Sequence, residues 1–222
     1  AVGGPRIPYD LLRRTRGLDE GELLRTLRAA VDARILLPDR DEYRFQHALL
    51  REAVLTDLLP AERVRLHRAF AEALDAAPDV LTPERRSAEA AFHWYGAREP
   101  RQALPALLRA AETAEAMHAH AEQAQMLRRA LELWPKAPMP ESDRREVWLK
   151  AITASMWAGE NTAALDLTEH ALAEAGADRP EGDRDAETAV LLALRAMALT
   201  NVHSREALDC VARAAALLPP GD

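Results

Sequence analysis

"REVWLKAITASMWAGENTAALDLTEHALAEAG", residues 145–176, decides the fold. Apolar and small residues recur at intervals of three and four on both sides of "AGE" at 158–160, which predicts two helices joined by a tight turn. The small residues Ala164 and Ala171 lie seven apart on the second helix, so the first helix can approach closely. Trp148, on the first helix, is then expected to fill the groove between them.

Outward from this stretch the pattern repeats. A second copy follows 43 residues on, with Ala207-Leu208, Ala214 and a closing Pro219, the extra length fitting the "ADRPEGDRD" loop. A third set, Ala130-Leu131, Leu133 and Pro135, matches the end of a repeat, with Gln123 standing where a small alanine is expected. The spacing resembles the tetratricopeptide repeat of roughly 34 residues. From Ala61 onward no stretch alternates as a strand would, and breaks at "APDVLTP", "AREP", "WPKAPMPES", "GE", "AGADRPEGDR" and "VHS" predict helices near 61–76, 84–96, 101–117, 120–134, 142–157, 161–175, 185–201 and 204–217. Helices in antiparallel succession with repeats in register predict an α-solenoid over 61–222.

Residues 1–60 read differently. "PYDLLRRTRG" is a short helix stopped by Gly17, and "LDEGELLRTLRAAVDARIL" opens a second, capped by Asp19 with acids in its first turn. "RILLP" and "YRFQ" flank the polar "DRDE" as two strands would, and "HALLREAVLTDLLP" returns to helical spacing until Pro60. Helix, helix, hairpin, helix is the order of a winged helix. The fold expected is therefore mainly all-α: an N-terminal winged helix with a small β-hairpin, then a tetratricopeptide-like solenoid.

Charge argues against nucleic acid as the partner of this N-terminal unit. Residues 1–60 carry ten arginines against ten acids, and the whole net charge of −7 falls on 61–222. Phosphate contacts supply most non-specific DNA affinity and need a basic face; here Arg25, Arg28 and Arg34 are interleaved with Asp19, Glu20, Glu22 and Asp32. One cysteine, Cys210, excludes an internal disulfide framework. No apolar run reaches bilayer-spanning length and no charged-then-apolar leader opens the chain, so the cytoplasm is expected and a membrane is not.

Taken together, "LLRTLRAAVDARILLPDRDEYRFQHALLREAVLTDLLPAERVRLHRAFAEAL", "EAAFHWYGAREPRQALPALLRAAETA" and "RRALELWP" resemble the middle of the large ATP-binding LuxR-type transcriptional regulators of actinobacteria, which are multidomain signal-transduction ATPases. The resemblance is close over 20–135 and generic beyond. It implies an ATPase domain before the winged helix and a LuxR-type helix-turn-helix after the repeats. This chain carries neither a G-x-x-x-x-G-K-[ST] loop nor a basic helix-turn-helix after Pro219. It implies no enzyme and no cofactor in the fragment itself, ATP or ADP in the intact protein, and as partners the adjoining ATPase domain and a protein or small-molecule inducer. A homo-oligomer is compatible with it.

The same resemblance gives His47 a role. In related ATPases a histidine at the junction of wing and helix approaches the β-phosphate of bound ADP; here "FQHALL" places Phe45 and His47 comparably, with Ala48 in place of the family's aspartate. The alternative is that His47 seats its helix or packs against the wing. Six aromatics form a candidate partner or ligand groove: Phe92, Trp94, Tyr95, Trp134, Trp148 and Trp157, with core packing as the competing reading. Phe92 and Tyr95 should share a face while Trp94 points elsewhere. No histidine pair has metal-binding helical spacing, and His118 and His120 would point apart on a helix. Cys210 is expected as a small core residue. The alternatives to a coupling and sensor segment are a stand-alone scaffold that binds peptides on its concave face, and a DNA-binding winged helix with a helical dimerisation arm.

Overall fold

Asp19 accepts a hydrogen bond from the Glu22 amide at 2.9 Å, as its place before an acidic first turn predicts, and so opens a helix at Glu20. Thr82 caps the helix that begins at Pro83, and the Leu59 amide donates to Glu62 at the start of the helix that begins at Pro60. In the computed structural model the described residues are 1–15, 19–137, 139, 144–175, 181–202 and 204–218, with 181–184 described by their backbone alone. Gly17 and Pro219 lie outside them.

The described residues are mostly helical, with a small three-stranded antiparallel sheet. In chain order the elements are β1 (Arg6–Pro8), α1 (Tyr9–Arg14), α2 (Glu20–Asp32), β2 (Leu36–Asp39), β3 (Glu42–Phe45), α3 (Ala48–Asp57), α4 (Pro60–Ala76), α5 (Pro83–Gly96), α6 (Pro100–Ala116), α7 (His120–Leu133), a 3-10 turn (Trp134–Lys136), α8 (Arg144–Trp157), α9 (Asn161–Glu174), α10 (Glu181–Asn201) and α11 (Glu206–Leu217). No described helix is long and apolar enough to cross a membrane.

The sheet has the order β1-β3-β2, with Leu36 paired to Phe45 and Asp39 to Glu42 across the hairpin, and Arg6 paired to Arg44 on the other side. The hairpin was expected; β1 was not. Pro8 and Pro38 stand on the two edge strands and none on the central β3, the arrangement that a residue without an N–H requires.

The chain divides into two compact units, residues 1–110 and 111–222. The boundary expected at residue 60 falls inside the first, at the opening residue of α4. There Val2, Ile7 and Leu11 from the start of the chain share one apolar cluster with Phe70, Ala73 and Leu74 of α4, Leu81, and Ala90 of α5. Arg85 of α5 donates to Glu42 at 2.6 Å and to the carbonyl of Arg6 at 3.1 Å, tying that helix to β3 and β1.

In the second unit each helix from α7 to α11 packs chiefly on its neighbours in sequence. The alanines singled out for close packing, Ala164 and Ala171 on α9 and Ala207 and Ala214 on α11, are all buried, as is Ala130 on α7. Gln123, where a small residue was expected, is buried as well. Cys210 is buried with Ala196, Leu199 and Ala207.

The ends of four helices reuse one device. At Arg34, Arg98, His118 and Gly159 the chain turns left-handed, with φ of 56°, 56°, 56° and 77°. In each case the next amide reaches back to the carbonyl five residues earlier: Ile35 to Ala30, Glu99 to Trp94, Ala119 to Ala114, Glu160 to Ser155. This is the Schellman closure of a helix C-terminus.

Candidate functional site

Leu149, Lys150, Thr153, Ala154 and Trp157 recur at the spacing of one face of α8, and this face forms a wall of an open cleft of about 400 Å³. Glu115 at the end of α6 and His118 in the turn after it, with His120 and Gln123 from the start of α7, line the opposing side. The left-handed turn at His118 breaks the helical path between the two histidines. Their rings consequently approach to 6.2 Å between centroids instead of diverging, as a continuous helix would have required.

Trp157 is the last residue of α8 and remains 70% exposed. The His120 ring meets its indole edge to face, 4.9 Å between centroids at 66°. Lys150 binds Glu146 at 2.9 Å, and its ammonium is held above the usual lysine range by that hydrogen bond, with Glu146, Glu115 and Glu112 adding charge attraction. The cleft therefore offers an exposed indole, two imidazoles, an apolar floor of Leu149 and Ala154, and the Glu115 carboxylate beside the Lys150 ammonium, with Glu146 and Glu112 close by. Among the described residues no group of three or more His, Cys, Asp or Glu side chains is placed to hold a metal ion.

The six candidate aromatics are divided between the two units. Phe92, Trp94 and Tyr95 belong to the first unit; Trp134, Trp148 and Trp157 belong to the second. Trp94 is buried and donates from Nε1 to Asp75 at 3.0 Å, whereas Phe92, on another side of α5, is 38% exposed and Tyr95 is half-buried. Trp134 is buried in the 3-10 turn. Trp148 is half-buried, donates to Glu174 at 3.2 Å, and lies beneath the guanidinium of Arg144. Only Trp157 of the six lines the cleft. His47 stands at the N-cap of α3 with extended backbone; it is exposed and makes no side-chain bond to the helix it precedes.

A second cluster, in the first unit, went unread in the sequence. His67 of α4 and His93 of α5 face each other with their Nδ1 atoms 3.1 Å apart, so one Nδ1 carries the proton and the other accepts it. Phe70 stacks on His93 at 4.9 Å and Phe92 meets both rings edge-on at 5.2 Å. Burial lowers His67 to a pKa of about 4, with Arg63 adding repulsion, and lowers His93 to about 3, with His67 adding. His93 Nε2 lies 3.7 Å from Glu89, whose own carboxyl is raised by burial. The available signal was position: His67 falls three, four and seven residues before Phe70, Ala71 and Leu74, on the face that α4 buries.

No protein-family model, curated protein or solved structure matches this chain.

Proposed function

We propose that the chain is the signal-receiving and coupling segment of a cytoplasmic, ATP-dependent LuxR-type transcriptional activator. In this reading the sheet with α1–α3 is a winged helix that docks against the ATPase domain of the parent protein, and α4–α11 form a tetratricopeptide-like solenoid that receives the inducer. ATP hydrolysis and promoter binding belong to other domains of the parent, and the segment contributes no catalytic group. An inducer acts by binding the open, ATP-loaded arrangement better than the closed, ADP-loaded one, since only differential affinity shifts such a balance.

The observation that supports this best is the cleft of the second unit, where an exposed tryptophan stands over an apolar floor within an array of sequence-adjacent helices. The order of α1, α2, the β2-β3 hairpin and α3, which is the order expected of a winged helix, supports the docking half. His47 fits the role of a phosphate contact insofar as its ring is exposed and not engaged in capping α3.

The reading frame that encodes the chain provides the test. A G-x-x-x-x-G-K-[ST] loop upstream and a basic helix-turn-helix downstream are expected; start and stop codons at the two ends of this sequence would leave a stand-alone peptide-binding scaffold instead. In the intact protein, His47→Ala is expected to raise basal activation or speed ADP release. Unchanged ADP retention together with unchanged basal output would reduce His47 to a structural residue.

A further inference from the structure

We infer that the cleft between the α6–α7 turn and α8 binds a small organic cation with an apolar body, of the aryl- or alkylammonium class. The inference rests on the reading of the helical array as a receiver and names the chemistry of what it receives.

Size sets the first limit. A concave site of about 400 Å³ is on the scale of a small molecule, and Leu149, Ala154 and the stem of Lys150 give the body of a ligand an apolar floor. Ring geometry sets the second. Trp157 leaves most of its indole in water, and His120 stands against it at 66°, so the two rings make a corner with an accessible π face. Indole is the side chain with the strongest attraction for a cation over its ring.

Charge decides the sign of the ligand. Glu115 lines the cleft, Glu112 lies one turn back on α6, and Glu146 lies one turn back from Lys150 on α8. These three carboxylates act on a single ammonium, and Lys150 already engages Glu146. With Lys150 engaged by Glu146, Glu115 on the lining and Glu112 behind it on α6 leave the surroundings of the cleft with excess negative charge, which attracts a cation and repels an anion. His118 and His120 present rings to the same space.

The test is calorimetric titration of the whole chain at pH 8 with three probes that share an aryl body: benzyltrimethylammonium, benzyl alcohol and benzenesulfonate. Saturable binding of the ammonium is expected, with the alcohol weaker and the sulfonate without measurable heat. Trp157→Leu should weaken the ammonium roughly ten-fold, and Glu115→Gln by about three-fold. Both residues are exposed, so the variants are expected to keep the parent's circular dichroism and melting temperature. Absence of saturable binding, equal affinity for the alcohol, or preference for the sulfonate overturns the proposal, as does a Trp157→Leu variant that binds like the parent. A short lysine- and arginine-containing peptide that outcompetes the ammonium also overturns it, in favour of a peptide groove. The regulator reading fails separately, on the flanking reading frame, and that failure would leave a measured cation affinity standing.

Discussion

The most consequential single residues in the first unit are two histidines that must stay uncharged. Unfolded imidazoles take up protons near 6.5, whereas buried His67 and His93 hold out to about 4 and about 3. The unfolded chain thus binds more protons below 6.5. Stability is fully present above that value and is lost as the pH falls from 6.5 towards 4, by up to about 1.4 kcal/mol per pH unit for each imidazole held neutral. Urea denaturation followed at pH 7 and pH 5 should show the loss, and His67→Phe with His93→Leu should flatten it; a pH-independent midpoint in the parent would contradict the neutral pair. Gly96 carries a related prediction. A Cβ there would come within 2.5 Å of the His67 ring, so Gly96→Ala should destabilise by about 1–3 kcal/mol although alanine is the better helix former. These roles were not legible in the sequence, because a histidine on an apolar helical face reads the same whether it meets another ring or plain aliphatic packing. Trp157 shows the reverse. Its residue type marked it as a candidate, but only the course of α8 and the turn at His118 determine which side chains stand beside it.

Helices were the most legible elements, since their apolar spacing and caps are local properties of the chain. The bounds expected from spacing for α4, α5, α6, α7 and α9 lie within a residue of those observed. The strand β1 escaped notice for the opposite reason: "RIP" has no alternation of its own, and its extended form comes from pairing with β3 some 38 residues away, as Arg6 with Arg44 shows. Turns divide along the same line. "AGE" at 158–160 announced itself by its glycine, whereas Arg98 and His118 adopt the same left-handed turn with ordinary side chains, the helix ends on either side holding them there. The difference has a sign that can be measured. Gly159→Ala should cost about 1 kcal/mol, because its φ of 77° strains any side chain even in open space. Arg98→Gly should gain up to about 1 kcal/mol by relieving that strain, less the entropy that glycine adds to the unfolded chain. Thermal melts of both variants, with opposite shifts, are the expected result.

Across the whole molecule, compositional reading separated a strand-containing segment from a helical remainder, and packing adds a connection that composition cannot carry. Val2, Ile7 and Leu11 share a cluster with Phe70, Leu74 and Leu81 on the far side of residue 60, and Arg85 ties α5 to two strands. A fragment ending at residue 60 would leave that apolar surface uncovered. It is expected to show poor amide dispersion by NMR and no cooperative melt, whereas residues 1–110 should fold; a well-dispersed 1–60 fragment would show that the α4 contacts are dispensable. In the proposed regulator this shared core would let a displacement of α4 or α5 reach the docking element without a flexible joint between them. The second unit has its own economy of charge. The chain uses arginine almost throughout and keeps only two lysines, Lys136 and Lys150, and one of these lines the Trp157 cleft. Amine-directed chemistry therefore becomes a nearly site-selective tool: reductive methylation with carbon-13 formaldehyde would place an NMR-visible label in the cleft and others on exposed Lys136 and the α-amino terminus as internal references, so occupancy of the one could be followed against the silence of the rest.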